Sequence, residues 1–169
     1  MAVTYEPIAT TTLGSAASSI TFSSIPSTYT DLRLVFVGTA TSTTFTTYIR
    51  FNGVSTGTLY SQTYLKGDGS TAGTGRYSNQ NQISNDGYAN EISATIPELI
   101  EIDIFSYAGS TNKTFLSRVS QDRNGSGATG ATVGLFRSTS AISSITLTSD
   151  FTATFATGTT ATLYGIKAA

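Results

Sequence analysis

Three carboxylates crowd one short stretch of the chain: Glu98, Glu101 and Asp103. On a strand, Glu101 and Asp103 share one face about 6–7 Å apart. Carboxylates at roughly that separation can cleave glycosidic bonds, one as acid and the other as base or nucleophile. The same spacing also keeps the solvent face of a strand polar, and no set of stacking groups beside it marks a substrate cleft. A second stretch, Asp122-Arg123-Asn124-Gly125-Ser126-Gly127, carries oxygen side chains at its first, third and fifth positions and glycine at its sixth. That is how a calcium loop opens, with Asp122, Asn124 and Ser126 as ligands, but the acidic ligand due at the twelfth position falls on Val133. Arg123 adds a positive charge beside the site, and an Asn-Gly turn explains the same residues. A third set is aromatic. Tyr60, Tyr64, Tyr77 and Tyr88 flank a long polar segment and are the candidate partner-binding side chains, with apolar rings and polar tips that suit sugars or a protein neighbour.

The rest of the inventory is poor in chemistry. The chain has no His and no Cys, so it offers no Ser/His or Cys/His nucleophile pair, no imidazole or thiolate metal ligand and no disulfide. No glycine-rich phosphate loop is present. The expectation is a protein that is not an enzyme and needs no cofactor or metal. Charged residues make up 11% of the 169, against roughly 25% in an average soluble chain. Hydroxyls replace them: 32 Thr and 23 Ser are about a third of the sequence. A net charge of −1 gives no footprint for nucleic acid or an anionic membrane. Arg33, Arg50, Arg118 and Arg137 are dispersed singly, which suggests salt bridges across strands or subunits.

The elements that must position these residues read as strands. Leu32, Leu34 and Phe36 alternate with Arg33, Val35 and Val37; Ile100, Ile102 and Ile104 alternate with Glu101 and Asp103. Ile145 and Leu147 alternate with Ser144, Thr146 and Thr148, and Thr162, Tyr164 and Ile166 oppose Leu163 and Lys167. Period two is the mark of half-buried antiparallel strands. Further strands are expected at Tyr5–Thr10, Ser18–Phe22, Thr46–Phe51, Leu59–Leu65, Glu91–Ile96, Thr114–Ser120 and Thr132–Arg137, between turn signals such as Asn52-Gly53, Asp86-Gly87 and Asn124-Gly125. No window sustains a helical period. The fold class is therefore an all-β antiparallel sandwich with little or no helix, in one domain over 1–169. Residues 66–82 are expected as a long flexible loop and 1–19 as an extended N-terminal arm. The longest uncharged stretch, Pro7 to Thr30, is too rich in Ser, Thr and Ala for a membrane span. The opening residues have no basic or apolar segment of an export signal, so the expectation is a chain made in the cytoplasm without that signal.

Several short segments carry a resemblance. Ile142-Ser143-Ser144-Ile145-Thr146-Leu147 leads through Phe155-Ala156-Thr157-Gly158-Thr159 into Ala161-Thr162-Leu163-Tyr164-Gly165-Ile166-Lys167. Earlier come Thr10-Thr11-Thr12-Leu13, Ile20 to Pro26, Tyr29-Thr30-Asp31-Leu32, Ile49 to Gly53, Ile102-Asp103-Ile104, Tyr107-Ala108 and Lys113-Thr114. Together they resemble small virion proteins of tailed bacteriophages, cyanophages included. The resemblance implies a jelly-roll form of the sandwich, a homotrimer, and a place on the capsid surface as a head decoration (cement) protein that clamps neighbouring capsomers. The implied partners are further copies of this chain and the major capsid protein of the same phage. It implies no catalytic residues. The alternative within the same resemblance is a tail-fibre or spike domain that binds host-surface glycans.

Overall fold

The computed structural model describes residues 5–42, 46–84, 92–122, 124–149 and 153–167. Among these residues there are twelve strands and no helix: β1 (Tyr5–Thr12), β2 (Ser19–Phe22), β3 (Asp31–Gly38), β4 (Tyr48–Phe51), β5 (Tyr60–Gly67), β6 (Ala72–Gln80), β7 (Ile83–Ser84), β8 (Glu98–Phe105), β9 (Lys113–Gln121), β10 (Ala128–Phe136), β11 (Ile145–Thr148) and β12 (Thr160–Ile166). They form an eight-stranded sheet in the order β1-β12-β3-β8-β9-β10-β5-β6 and a four-stranded sheet in the order β2-β11-β4-β7. Every pairing is antiparallel. The architecture is a jelly-roll-like β-sandwich, its strands following the expected alternation of apolar residues.

The core lies between the sheets. The large sheet contributes Leu32, Leu34 and Phe36 from β3, Ile100, Ile102 and Ile104 from β8, and Phe115, Phe136 and Leu163 from β9, β10 and β12. The small sheet answers with Ile20, Phe22, Ile49, Phe51, Ile83, Ile145 and Leu147. Phe51 is the hub of the aromatic packing. Its ring centroid lies 6.0 Å from Tyr60, 6.1 Å from Phe115 and 5.5 Å from Phe136, the last two edge-on, while Tyr60 stacks on Phe136 at 4.8 Å. Edge-to-face and offset-stacked pairs at these distances add attraction beyond area burial. Gly134 on β10 makes room for this cluster, because a Cβ there would sit 1.9 Å from the Phe115 ring.

Polar groups that enter the interior are satisfied by backbone. Lys113 at the start of β9 is fully buried, and its Nζ donates to the carbonyls of Gly109 (2.7 Å) and Ser138 (3.3 Å), and to that of Thr111. The amine thus holds the 106–112 connection against the end of β10, although desolvation lowers its pKa. Asn52 acts as a backbone surrogate beside β4: its Oδ1 accepts from Ser143 N at 2.8 Å and its Nδ2 donates to Ala141 O at 2.8 Å. Its φ of 54°, followed by 65° at Gly53, realises the expected Asn-Gly turn. At the sheet edge, Glu6 on β1 accepts from Tyr29 Oη (3.0 Å) and Lys167 Nζ (2.8 Å). The two bonds, led by that from Lys167, hold the Glu6 carboxyl below its usual pKa.

Three sequence expectations are corrected. Residues 66–82 are not a long loop: they complete β5, turn over 68–71 and return as β6 along the whole of β5. Asp68 makes the turn, its Oδ1 accepting from the amides of Ser70 (2.9 Å) and Thr71 (2.6 Å). Low strand propensity is overridden by ladder hydrogen bonds and by the Tyr64 ring, which covers Gly75. Within 1–19, Tyr5–Thr12 is no free arm but an edge strand laid on β12. The strand expected over Glu91–Ile96 is absent from Ile92 onward, because Ser93 Oγ accepts from the amides of Thr95 (3.1 Å) and Ile96 (3.2 Å) and turns the chain.

The aromatic hub sets a test. Phe51→Ala should destabilise the chain by about 3–5 kcal/mol and Phe51→Leu by clearly less. Urea unfolding followed by circular dichroism measures both, and equal effects would deny the ring contacts an organising role.

Candidate interaction face

Glu101 and Asp103 do share a face, the outer one of the large sheet. Strand register sets each beside an arginine: Arg33 on β3 lies opposite Asp103, and Arg118 on β9 opposite Glu101. Arg33 grips Asp103 with two bonds, Nε to Oδ1 at 2.5 Å and Nη2 to Oδ2 at 2.9 Å. Arg118 adds Nη2 to Oδ2 at 2.8 Å and reaches Glu101 with its Nε 3.7 Å from Oε2. Asp103 is only 8% exposed, so both of its oxygens are committed to guanidinium groups. Asp103 raises the pKa of Arg33 further, chiefly through their hydrogen bonds. This geometry makes the pair a cross-strand charge clasp. Glu98, the third carboxylate, points the other way and is buried.

Of the other arginines, Arg50 donates to Gln82 Oε1 at 2.5 Å. Arg137 bonds Ser61 Oγ and Asn79 Oδ1, both at 3.2 Å, and the Thr58 carbonyl. The expected ion pairs across strands thus form at Arg33 and Arg118, whereas the bonds of Arg50 and Arg137 described here go to neutral groups.

Around the clasp the outer face sets exposed apolar residues among Ser, Thr and the exposed Arg76, which lies opposite Thr63. Cross-strand rows run Val37–Leu99–Ser120–Thr129–Gly67, then Val35–Glu101–Arg118–Ala131–Leu65, then Arg33–Asp103–Leu116–Val133–Thr63. The large hydrophobic residues exposed among the described residues are Leu65 (60%), Val133 (50%), Tyr5 (45%), Val37 (44%) and Phe105 (43%). All five project from this one face. Tyr5 is placed there by Arg33, whose guanidinium carbon lies 5.6 Å from its ring centroid. Depressions mark the surface: one of about 580 Å³ touches Val37, Leu99, Ser120 and Thr129, one of about 550 Å³ touches Leu65, Glu101, Arg118 and Ala131, one of about 310 Å³ touches Thr63, Arg76 and Val133, and one of about 290 Å³ touches Leu65, Leu116 and Val133. The outer face of the small sheet carries Thr21 and Thr146, joined by a 3.1 Å hydroxyl bond. Exposed apolar residues concentrated on one face are a mark of an interaction surface.

The aromatic candidates separate. Tyr60 is not at the surface: it is fully buried, and its hydroxyl accepts from Phe51 N at 2.8 Å. It packs in the core because β5 turns its Tyr60 face toward the small sheet. Burial raises its pKa from 10.0 to about 12. Tyr64 and Tyr77 are brought together on the β5–β6 hairpin, stacked at 5.7 Å, with Lys66 Nζ 5.6 Å above the Tyr64 ring. Tyr88 lies outside the described residues. Asp122, Asn124 and Ser126 all sit exposed in the β9–β10 turn, where Asp122 Oδ1 accepts from Asn124 N at 2.8 Å. Positive φ at Asn124 (56°) and Gly125 (101°) completes that turn. No group of three acidic residues placed to hold a metal ion occurs among the described residues.

Sequence reasoning missed the apolar face. Its one trace is an inversion of pattern: Thr132 points inward and Val133 outward. Comparisons with protein-family models, curated proteins and solved structures find no match to this chain.

Two outcomes follow from these contacts. Asp103→Asn should cost about 1–3 kcal/mol of stability, since two guanidinium groups lose their counter-charge; no loss in urea unfolding would reduce the clasp to a surface ornament. For Tyr60, the folded pKa lies above the unfolded one. Its contribution is therefore complete below pH 10.0 and is lost as pH rises to about 12. Across that window the wild type should lose roughly 2–3 kcal/mol more than Tyr60→Phe in denaturant titrations; parallel curves would contradict it.

Proposed function

We propose that this chain is a structural protein of a tailed-phage virion: a homotrimeric head decoration protein that clamps neighbouring capsomers through contacts with the major capsid protein. The observation that carries the reading is the outer face of the large sheet, where every exposed large hydrophobic of the described residues gathers around internally neutralised charges. Such a face binds by shape and apolar contact, with little ionic desolvation to offset. The resemblance in the sequence supplies the setting. A trimer matches the local three-fold positions of an icosahedral shell, so one chain can occupy each of them. Binding only to the assembled shell stabilises it by mass action, with no chemistry required.

One observation favours a second reading. The Tyr64–Tyr77 stack with Lys66 beside it is a half-exposed aromatic surface on a hairpin. Aromatic faces of this kind bind sugar rings, which suits a tail-fibre or spike domain that recognises host glycans.

Immunogold labelling of virions of the encoding phage, with antibody against this chain, tests both. Gold spread over the head is the expected result. Gold confined to the tail transfers the function to host recognition, where Tyr77→Ala should then abolish glycan binding. Virions without gold would refute the virion assignment altogether.

A further inference from the structure

We infer that Asn124, in the β9–β10 turn, is a site of spontaneous deamidation, and that the other Asn-Gly pair of the chain, Asn52-Gly53, is protected from the same reaction by its place in the fold. The inference concerns the chain by itself and stands apart from the virion reading.

The chemistry is that of an asparagine followed by glycine. The Gly125 amide nitrogen, on losing its proton, attacks Asn124 Cγ. A C–N bond forms, the bond from Cγ to Nδ2 breaks, and Nδ2 takes up a proton and leaves as ammonia. Water then opens the five-membered succinimide at either carbonyl, giving an aspartate or an isoaspartate at position 124. Water is the only co-reactant. Glycine favours the attack because it has no side chain to obstruct the closing ring.

Both pairs share this sequence and a left-handed turn, with φ of 54° and 65° at Asn52 and Gly53 and of 56° and 101° at Asn124 and Gly125. A Cβ on either glycine would meet nothing within 4 Å. What separates the pairs is the asparagine side chain. Asn52 is half-buried; its Oδ1 accepts from Ser143 N at 2.8 Å and Ser144 N at 3.2 Å, and its Nδ2 donates to Ala141 O at 2.8 Å. Ring closure there has to break these bonds and release the 141–144 connection. Asn124 is exposed, and its side chain makes no hydrogen bond to the described residues. Only its backbone is held, Asn124 N donating to Asp122 Oδ1 at 2.8 Å. Its carboxamide is free to swing toward Gly125 N.

The conversion alters the surface locally. It adds one negative charge to a chain whose formal net charge is −1. The new carboxylate falls in the turn that carries Asp122 and that borders, with Asp68, the depression of about 580 Å³ at this end of the outer face. An isoaspartate also inserts one more carbon into the main chain. Below the tip of the turn the ladder is tight: Ala128 pairs with Gln121, and a Cβ on Gly127 would stand 2.4 Å from the Gln121 carbonyl oxygen. The change therefore stays at the tip, and the strands keep their register.

The test ages the purified chain at neutral and alkaline pH, both folded and in urea. Ion exchange follows the charge, and peptide mapping that tells isoaspartate from aspartate locates the site. The folded chain should yield an acidic species modified at position 124, forming faster in alkali, where the glycine amide loses its proton more readily. Folded Asn52 should convert at least about ten-fold more slowly than folded Asn124, since each hydrogen bond that must break slows it several-fold. In urea the two sites should convert at comparable rates, because the bonds to residues 141–144 are gone. Asn124→Gly suits the positive φ and should fold without yielding the acidic species. An Asn52 that converts as fast as Asn124 in the folded chain would overturn the inference. So would an Asn124 that stays intact there, or an acidic species that persists in Asn124→Gly. The peptide map of the wild type decides the matter even where that variant is unfolded by circular dichroism.

Discussion

A strand sends successive side chains to opposite faces, and almost every feature of this chain follows from that constraint acting on one broad sheet. Once Leu32, Leu34 and Phe36 are committed to the interior, Arg33, Val35 and Val37 must project from the other side. The same commitment by Ile100, Ile102 and Ile104 throws Glu101 and Asp103 outward, into register with Arg118 and Arg33. Neither the charge clasp nor the apolar ground around it can move without slipping a strand and inverting the core. The outer surface is held in place by what lies beneath it.

The scarcity of charge finds its explanation in the ladders. Threonines pair through their hydroxyls at 3.1 to 3.2 Å: Thr10 with Thr162, Thr12 with Thr160 and Thr21 with Thr146 across strands, and Thr41 with Thr154 beside the Ala40–Phe155 bridge. Each branched side chain suits the pleat, and each hydroxyl satisfies a neighbour without the desolvation cost of an ion. Where a full charge is buried, as at Lys113, backbone carbonyls surround it. Polarity in this protein is largely a matter of short, neutral contacts between adjacent strands.

How much of this was legible in the sequence depended on whether a residue's face could be deduced locally. The alternation of β3 and β8 was visible, and with it the outward placement of Glu101 and Asp103. Their pairing was not, because strand order joins residues 70 and 15 positions apart. Tyr60 and Tyr64 looked equivalent beside a polar segment. The small sheet covers one and leaves the other half-exposed, a distinction only tertiary structure draws. Residues 66–82 lacked every strand signal, since glycine and asparagine contribute nothing to propensity, yet pairing along β5 and the cover from Tyr64 make a strand of them. The apolar outer face was hidden for a related reason: an outward valine is indistinguishable from an inward one until the register is known.

The position of β12 has a temporal consequence. It lies between β1 and β3, strands formed from the earliest described part of the chain, and Tyr5 stands opposite Ile166. While the polypeptide is being synthesised, β1 has no partner and one edge of β3 stays bare until Thr160–Ile166 has left the ribosome. Contacts so distant in sequence make for slow closure of the sheet. The broad sheet is therefore complete only once Thr160–Ile166 has emerged, and its outer face is completed at the same moment.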